Sequence, residues 1–167
     1  LGKTATGILP PTLEFSISDQ LKLKGRDVEK AKALLKEAGQ SNLKLTISTN
    51  ENKDRVDMAT AMKEQLAEVG IEASINVLEW SAFNDLIKKG NHDLYMIAWT
   101  ADSPDPDTFM YPCFHSSAKG EGGNYAFLED SKLDKLLDDA RYEGDKSKRG
   151  ELYKEAQEYI MGINAWV

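Results

Sequence analysis

Residues 43–50 read LKLTISTN, residues 71–77 read IEASINV and residues 94–99 read LYMIAW, and what separates these three stretches decides the fold. In the first, Leu43, Leu45 and Ile47 alternate with Lys44, Thr46 and Ser48; in the second, Ile71, Ala73, Ile75 and Val77 alternate in the same way. A period of two marks a strand with one covered face and one partly wet one. The third stretch is apolar almost throughout, which predicts a strand covered on both faces and the most central of the three. From Asp54 onward, Val56, Ala59, Met62, Leu66 and Val69 recur at steps of three and four, and Gly70 stops the helix they imply. A shorter helix is predicted around Phe83 to Lys89, ended by Gly90. Strands joined by helices pair in parallel through right-handed crossovers, because a hairpin needs only a few linking residues. The expected class is α/β, an open and mainly parallel sheet with flanking helices.

Upstream, Asp27 is placed to cap a helix with Val28, Ala31, Leu35 and Ala38 on one face and Gly39 at its C-terminus. Residues 1–26 hold Gly2, Gly7, Pro10, Pro11 and Gly25 with weak periodicity and read as a looping lead-in, outside any packed element. The expected division is thus a lead-in at 1–26 and an α/β lobe at 27–167. Downstream of Pro112 the chain turns polar and Gly-rich through Asn124. Two helices follow, marked by Leu133, Leu136, Leu137 and Ala140 and by Leu152, Ala156, Tyr159 and Ile163.

With 167 residues, 41% of them hydrophobic and 29% charged, the chain has the size and composition of one globular domain. Its 21 basic residues are scattered against 28 acidic ones, for a net charge of -7, which disfavours a nucleic-acid partner. The longest apolar run, Leu94 to Trp99, is too short to cross a bilayer, and no signal segment opens the sequence. The single cysteine, Cys113, excludes an intrachain disulfide and a cysteine-based zinc cluster but leaves the redox compartment open. It reads as a small buried apolar residue.

In open α/β sheets ligands bind beyond the carboxyl ends of the strands, and the loop after Trp99 holds that place. It carries Asp102, Asp105 and Asp107, with Pro104 and Pro106 stiffening the backbone and removing two amide donors. An Asp-x-Asp after a strand raises a metal-dependent phosphohydrolase, the alternative function. Against it, Phe109 stands where that signature wants Thr or Val, and the prolines would disturb a phosphate cradle. A calcium site at the three aspartates lacks the glycine turn and distal glutamate of the usual loop. The structural reading has Asp105 or Asp107 capping a short helix through Phe109 and Met110, and does not account for Asp102. His92 and His115 read as surface or loop histidines without a helical partner at metal-ligand spacing. Gly120, Gly122 and Gly123 read as a flexible turn. No catalytic residue, metal ligand or cofactor is expected.

The Trp99 to Asp107 segment resembles the Gly/Ala-Trp-x-x-Asp-x-x-Asp-Pro stretch of the family 5 bacterial extracellular solute-binding proteins, the dipeptide, oligopeptide and nickel receptors of ABC importers. Further landmarks fall in family order: Gly7 to Pro11, Asp27 to Gly39, Gln65 to Ile71, Glu79-Trp80, Gly123 to Ala126, the helix from Asp134 to Arg141, and Arg149 to Gln157. The resemblance covers essentially the whole chain. It implies one lobe of a type II periplasmic-binding-protein fold, truncated relative to a two-lobed parent about three times longer. It also implies an extracytoplasmic location, periplasmic or lipid-anchored, a peptide ligand, and as partners the absent N-terminal lobe and an ABC permease complex. By the same resemblance Asp102 receives the ligand's amino group, the extended backbone at Ala98, Trp99, Thr100 and Ala101 meets its main chain, and Trp80, Trp99, Phe109 and Tyr111 supply apolar walls. No arginine lies between Asn91 and Asp107, so the ligand's carboxylate is left to Lys88, Lys89, the other lobe or water.

Overall fold

The computed structural model describes residues 4–22 and 25–166, and the chain divides into two compact units, Lys24–Ala98 and Leu1–Leu23 with Trp99–Val167. The first unit begins with α1 (Val28–Glu37), where the Asp27 carboxylate accepts the Lys30 N–H at 2.9 Å. Gly39 follows at φ +68°, a left-handed turn that glycine adopts without steric cost. Strand β1 (Lys44–Asn50) leads through α2 (Lys53–Glu68), capped by Asn52, to β2 (Glu72–Leu78). Helix α3 (Trp80–Lys88) then returns the chain to β3 (Leu94–Tyr95). It starts a turn earlier than the apolar spacing predicts, because Glu79 accepts the Ser81 and Ala82 N–H groups and so fixes the first turn.

Both strand pairs are parallel, from Lys44↔Glu72 to Asn50↔Leu78 and at Ile47↔Leu94 and Ser48↔Tyr95, in the order β2-β1-β3. The expected sheet class is therefore observed, but its centre is β1, and β3 is a two-residue edge. The apolar run 94–99 serves two cores instead of one buried strand. Leu94 and Met96 pack with Ile47, Ala59 and Ala73 under α2, whereas Trp99 joins the core of the other unit. On the opposite face Ser48 is buried, and nearer the start of the strands the hydroxyls of Thr46 and Ser74 lie 3.2 Å apart.

The second unit is built on α4 (Asp107–Phe114), α5 (Ser131–Tyr142) and α6 (Lys146–Ile163). Met110, Cys113 and Phe114 meet Leu133, Leu136, Leu137 and Ala140 of α5 and Tyr153, Ala156 and Ile160 of α6 in one core. The buried line of α6 runs through Tyr153, Ala156, Gln157 and Ile160, whereas Ile163 of the predicted stripe is exposed. Gln157 is buried because its amide is fully used, donating to the Phe15 and Tyr153 carbonyls and accepting the Ile17 N–H. The segment read as a lead-in is thereby tied to α6. Leu9 and Ile17 are buried, so loop geometry there coexists with core packing. Among the described residues no helix is long and apolar enough to cross a membrane.

Candidate functional site

The loop from Trp99 to Thr108 is closed at its base by its own polar groups. The Trp99 indole Nε1 donates to the Thr108 carbonyl at 3.1 Å, and Thr108 Oγ1 donates to the carbonyls of Asp105 (2.8 Å) and Ser103 (3.1 Å). The Asp105 carboxylate accepts the Asp107 N–H at 2.8 Å, so a side chain does satisfy an amide at the start of α4, although it stands one residue before the N-cap, Pro106. That part of the capping reading holds for Asp105. Asp107 is itself the first residue of the helix.

The larger commitment of both carboxylates is to arginines far along the chain. Arg149 Nη1 and Nη2 grip Asp105 at 3.0 and 2.9 Å, and Arg141 Nε and Nη2 grip Asp107 at 2.9 and 2.8 Å. Such forked pairs match two planar groups and fix orientation as well as charge. The Arg149 guanidinium holds the Asp105 carboxyl below the usual carboxylate range, and each arginine is correspondingly raised. Spacing did not expose these contacts. A weak signal was present, since two of only four arginines in the chain flank the junction of the last two helices.

Asp102 differs from both. It is exposed, and among the described residues it forms no hydrogen bond or ion pair. From Ile97 to Asp102 no backbone N–H or carbonyl is hydrogen-bonded among the described residues either. Thr100 is exposed and Ala101 half-buried. The loop thus offers one uncommitted carboxylate beside an open run of main chain.

Of the aromatic residues expected to wall a ligand, Trp99 and Phe109 are largely spent on packing. Trp99 lies against Gly123, whose missing side chain makes the room: a Cβ there would sit 2.8 Å from two ring carbons. Phe109 meets the Trp166 ring edge-on at 6.3 Å. Trp80 lies in the other unit, 48% exposed at the start of α3. The Gly120–Gly122 stretch forms a 3-10 turn held by the Gly123 N–H to the Gly120 carbonyl, at the place where a turn is expected.

His115 is buried, contrary to the surface reading, because it stacks on Tyr111 at 4.1 Å. Its Nε2 faces Asp138 and Asp134 at 3.5 and 3.9 Å. Arg141 covers the other face of the Tyr111 ring, its Cζ 3.2 Å from the centroid. Cys113 is buried as expected, and burial pushes its thiol up to about 12. Among the described residues no group of three or more His, Cys, Asp or Glu side chains is disposed to hold a metal ion. With Asp105 and Asp107 already gripped by arginines, neither a calcium loop nor an aspartate nucleophile has its donors free.

Residues 1–121 match the family model described as bacterial extracellular solute-binding proteins, family 5. The dipeptide-binding protein of Escherichia coli K12 is 35% identical over 93% of this chain and 30% of its own length. A periplasmic binding protein of Helicobacter pylori, solved in complex with the peptide STSA, superposes with a TM-score of 0.89 at 31% identity, over 97% of this chain and 32% of that one. A dipeptide-binding protein from Pseudoalteromonas, solved with Met-Leu, gives 0.86 at 31% identity over 94% and 32%. The chain therefore spans about a third of the length of each.

Proposed function

Because the chain belongs to the family 5 bacterial extracellular solute-binding proteins, we propose that it forms one lobe of a receptor that captures peptides outside the cytoplasm for an ABC importer. On this reading it binds and does not catalyse. The remaining length of such a receptor supplies the facing lobe, and hinge closure over the ligand presents a loaded shape to the permease complex.

The observation that carries the reading is the division of labour in the loop. Asp105 and Asp107 are neutralised internally, whereas Asp102 stands exposed and unpartnered among the described residues. A lone carboxylate enclosed by a second lobe suits the single positive charge of a peptide's amino terminus. The unpaired backbone of Trp99, Thr100 and Ala101 suits the peptide main chain, which would add as a strand and fix direction without reading side chains. Trp80 and Phe109 add apolar surface on their own units, Trp80 as the more exposed of the two.

The test is calorimetry of the two-lobed receptor with Met-Leu and N-acetyl-Met-Leu. Asp102→Asn is expected to weaken the free-amine peptide by about 1.5–3 kcal/mol, roughly 10- to 150-fold, and to leave the acetylated one nearly unchanged. Equal losses for the two peptides would remove Asp102 from the amine role.

A further inference from the structure

Arg141 lies in the last turn of α5 and Arg149 in the first turn of α6, and each is held in place by more than its aspartate. Arg149 Nε donates to the Ala140 carbonyl at 3.0 Å, and its Nη2 reaches the Tyr153 hydroxyl at 3.3 Å. Arg141 sits over the Tyr111 ring, its Cζ 3.2 Å from the centroid. Both guanidinium groups are thus anchored in the helical core before they reach the loop. The segment from Ser103 to Thr108 is pinned by the forks at Asp105 and Asp107 and by the Thr108 hydroxyl. Asp102 projects from the residue next to that pinned turn.

Two consequences follow from the charges alone. The forks fix where the turn lies, and they cancel two of the loop's three carboxylates. With all three free, the loop would favour a polyvalent cation over a single ammonium group. We propose that Arg141 and Arg149 are positioning residues for ligand capture, holding the turn and its charge so that Asp102 alone is offered to a cationic ligand group. This rests on the role of Asp102 proposed above. Neither arginine touches the ligand.

The experiment uses the two-lobed receptor and the ratio of its affinities for Met-Leu and N-acetyl-Met-Leu. The pair Arg149→Met with Asp105→Asn removes the fork while leaving the summed charge of the two residues at zero. The amine preference is expected to fall about tenfold or more, with the acetylated peptide bound as in the wild type, since a misplaced Asp102 loses only its own charge-assisted bond. General loosening of the lobe would weaken both peptides together and leave the ratio intact, which would overturn the proposal. Arg149→Lys keeps the charge and the helix but not the two-pronged geometry, and an intermediate fall in the ratio is expected. That variant carries the test if the pair does not fold, and an unchanged ratio in it would equally overturn positioning. Asp102→Asn separates the two ideas. If it abolishes the preference while the fork variants retain it, the positioning role fails alone. If it leaves the preference intact, the amine reading fails and takes this proposal with it.

Discussion

Replacing Gly123 with alanine sets a backbone cost and a packing cost on the same atom. At φ +117° the residue occupies a conformation that side-chain-bearing residues rarely adopt, which costs on the order of 1–3 kcal/mol. The new Cβ would lie 2.8 Å from Cη2 and Cζ3 of Trp99 and 3.1 Å from the Pro112 carbonyl oxygen. The ring cannot simply retreat, because its Nε1 is bonded to the Thr108 carbonyl that closes the loop. Forcing a methyl into such a site adds about 1–3 kcal/mol. The sum, about 2–6 kcal/mol, corresponds to roughly 4–24 °C in melting temperature for a chain of this size. Gly144, in the same unit, is the control. Nothing lies within 4 Å of a Cβ built there, and its φ lies outside the left-handed range. Gly144→Ala is expected to be neutral or to stabilise by about 0.4–1 kcal/mol through the unfolded chain. Circular-dichroism melts with tryptophan emission recorded alongside give both readouts. A Gly123→Ala protein that melts with the Gly144→Ala control and keeps the wild-type emission would refute the packing argument.

Three other perturbations follow from contacts already described. Gln157→Leu keeps the volume but strips partners from the Phe15 carbonyl and the Ile17 N–H; a loss of about 2–4 kcal/mol is expected, with limited proteolysis cutting first near residues 13–18. Cys113 should resist a thiol reagent at pH 8 in the native chain and react at once in urea, since its thiol is buried and raised to about 12. Measurable labelling of the folded chain would contradict its burial. The carboxyl of Asp105 is lowered on folding, chiefly by the bond from Arg149, so its contribution is complete above the unfolded value near pH 4 and disappears as the pH falls through the folded one. Asp105→Asn should therefore be less stable than wild type at pH 6 in urea titrations and converge with it toward pH 2. The difference is expected to stay below about 1 kcal/mol, because the side chain is 40% exposed.

What the sequence revealed was carried by neighbours a few residues apart. The cap at Asp27 and the glycines at 39, 70 and 90, all at positive φ, are local signals, and each marks a helix end as expected. The parallel pairing of β1 and β2 was legible for the same reason, since the intervening helix leaves no other economical connection. Strand order was not, because an apolar run reports burial without saying which core does the burying, and 94–99 feeds two. The loop's chemistry failed to show for a related reason. Asp107 and Arg141 are 34 residues apart and Asp105 and Arg149 are 44, beyond any periodicity, so three aspartates in one loop looked equivalent until their partners were seen. Burial of His115 likewise depends on a stack with Tyr111 one helical turn away, a contact of geometry and not of composition.

The Gln157 amide has a further meaning for how this chain comes to be folded. It joins residues 142 and 140 positions apart, Phe15 and Ile17, across an intervening unit that is continuous in sequence. A chain made from its amino end completes Lys24–Ala98 long before residue 157 exists, and that stretch already holds the partners for all three of its strands. The unit that presents Asp102 must instead wait, its first segment in hand and its last helix still to come, and the loop entropy of that wait is settled only when α6 arrives. The loop that carries Asp102 belongs to whichever of the chain's two units closes later.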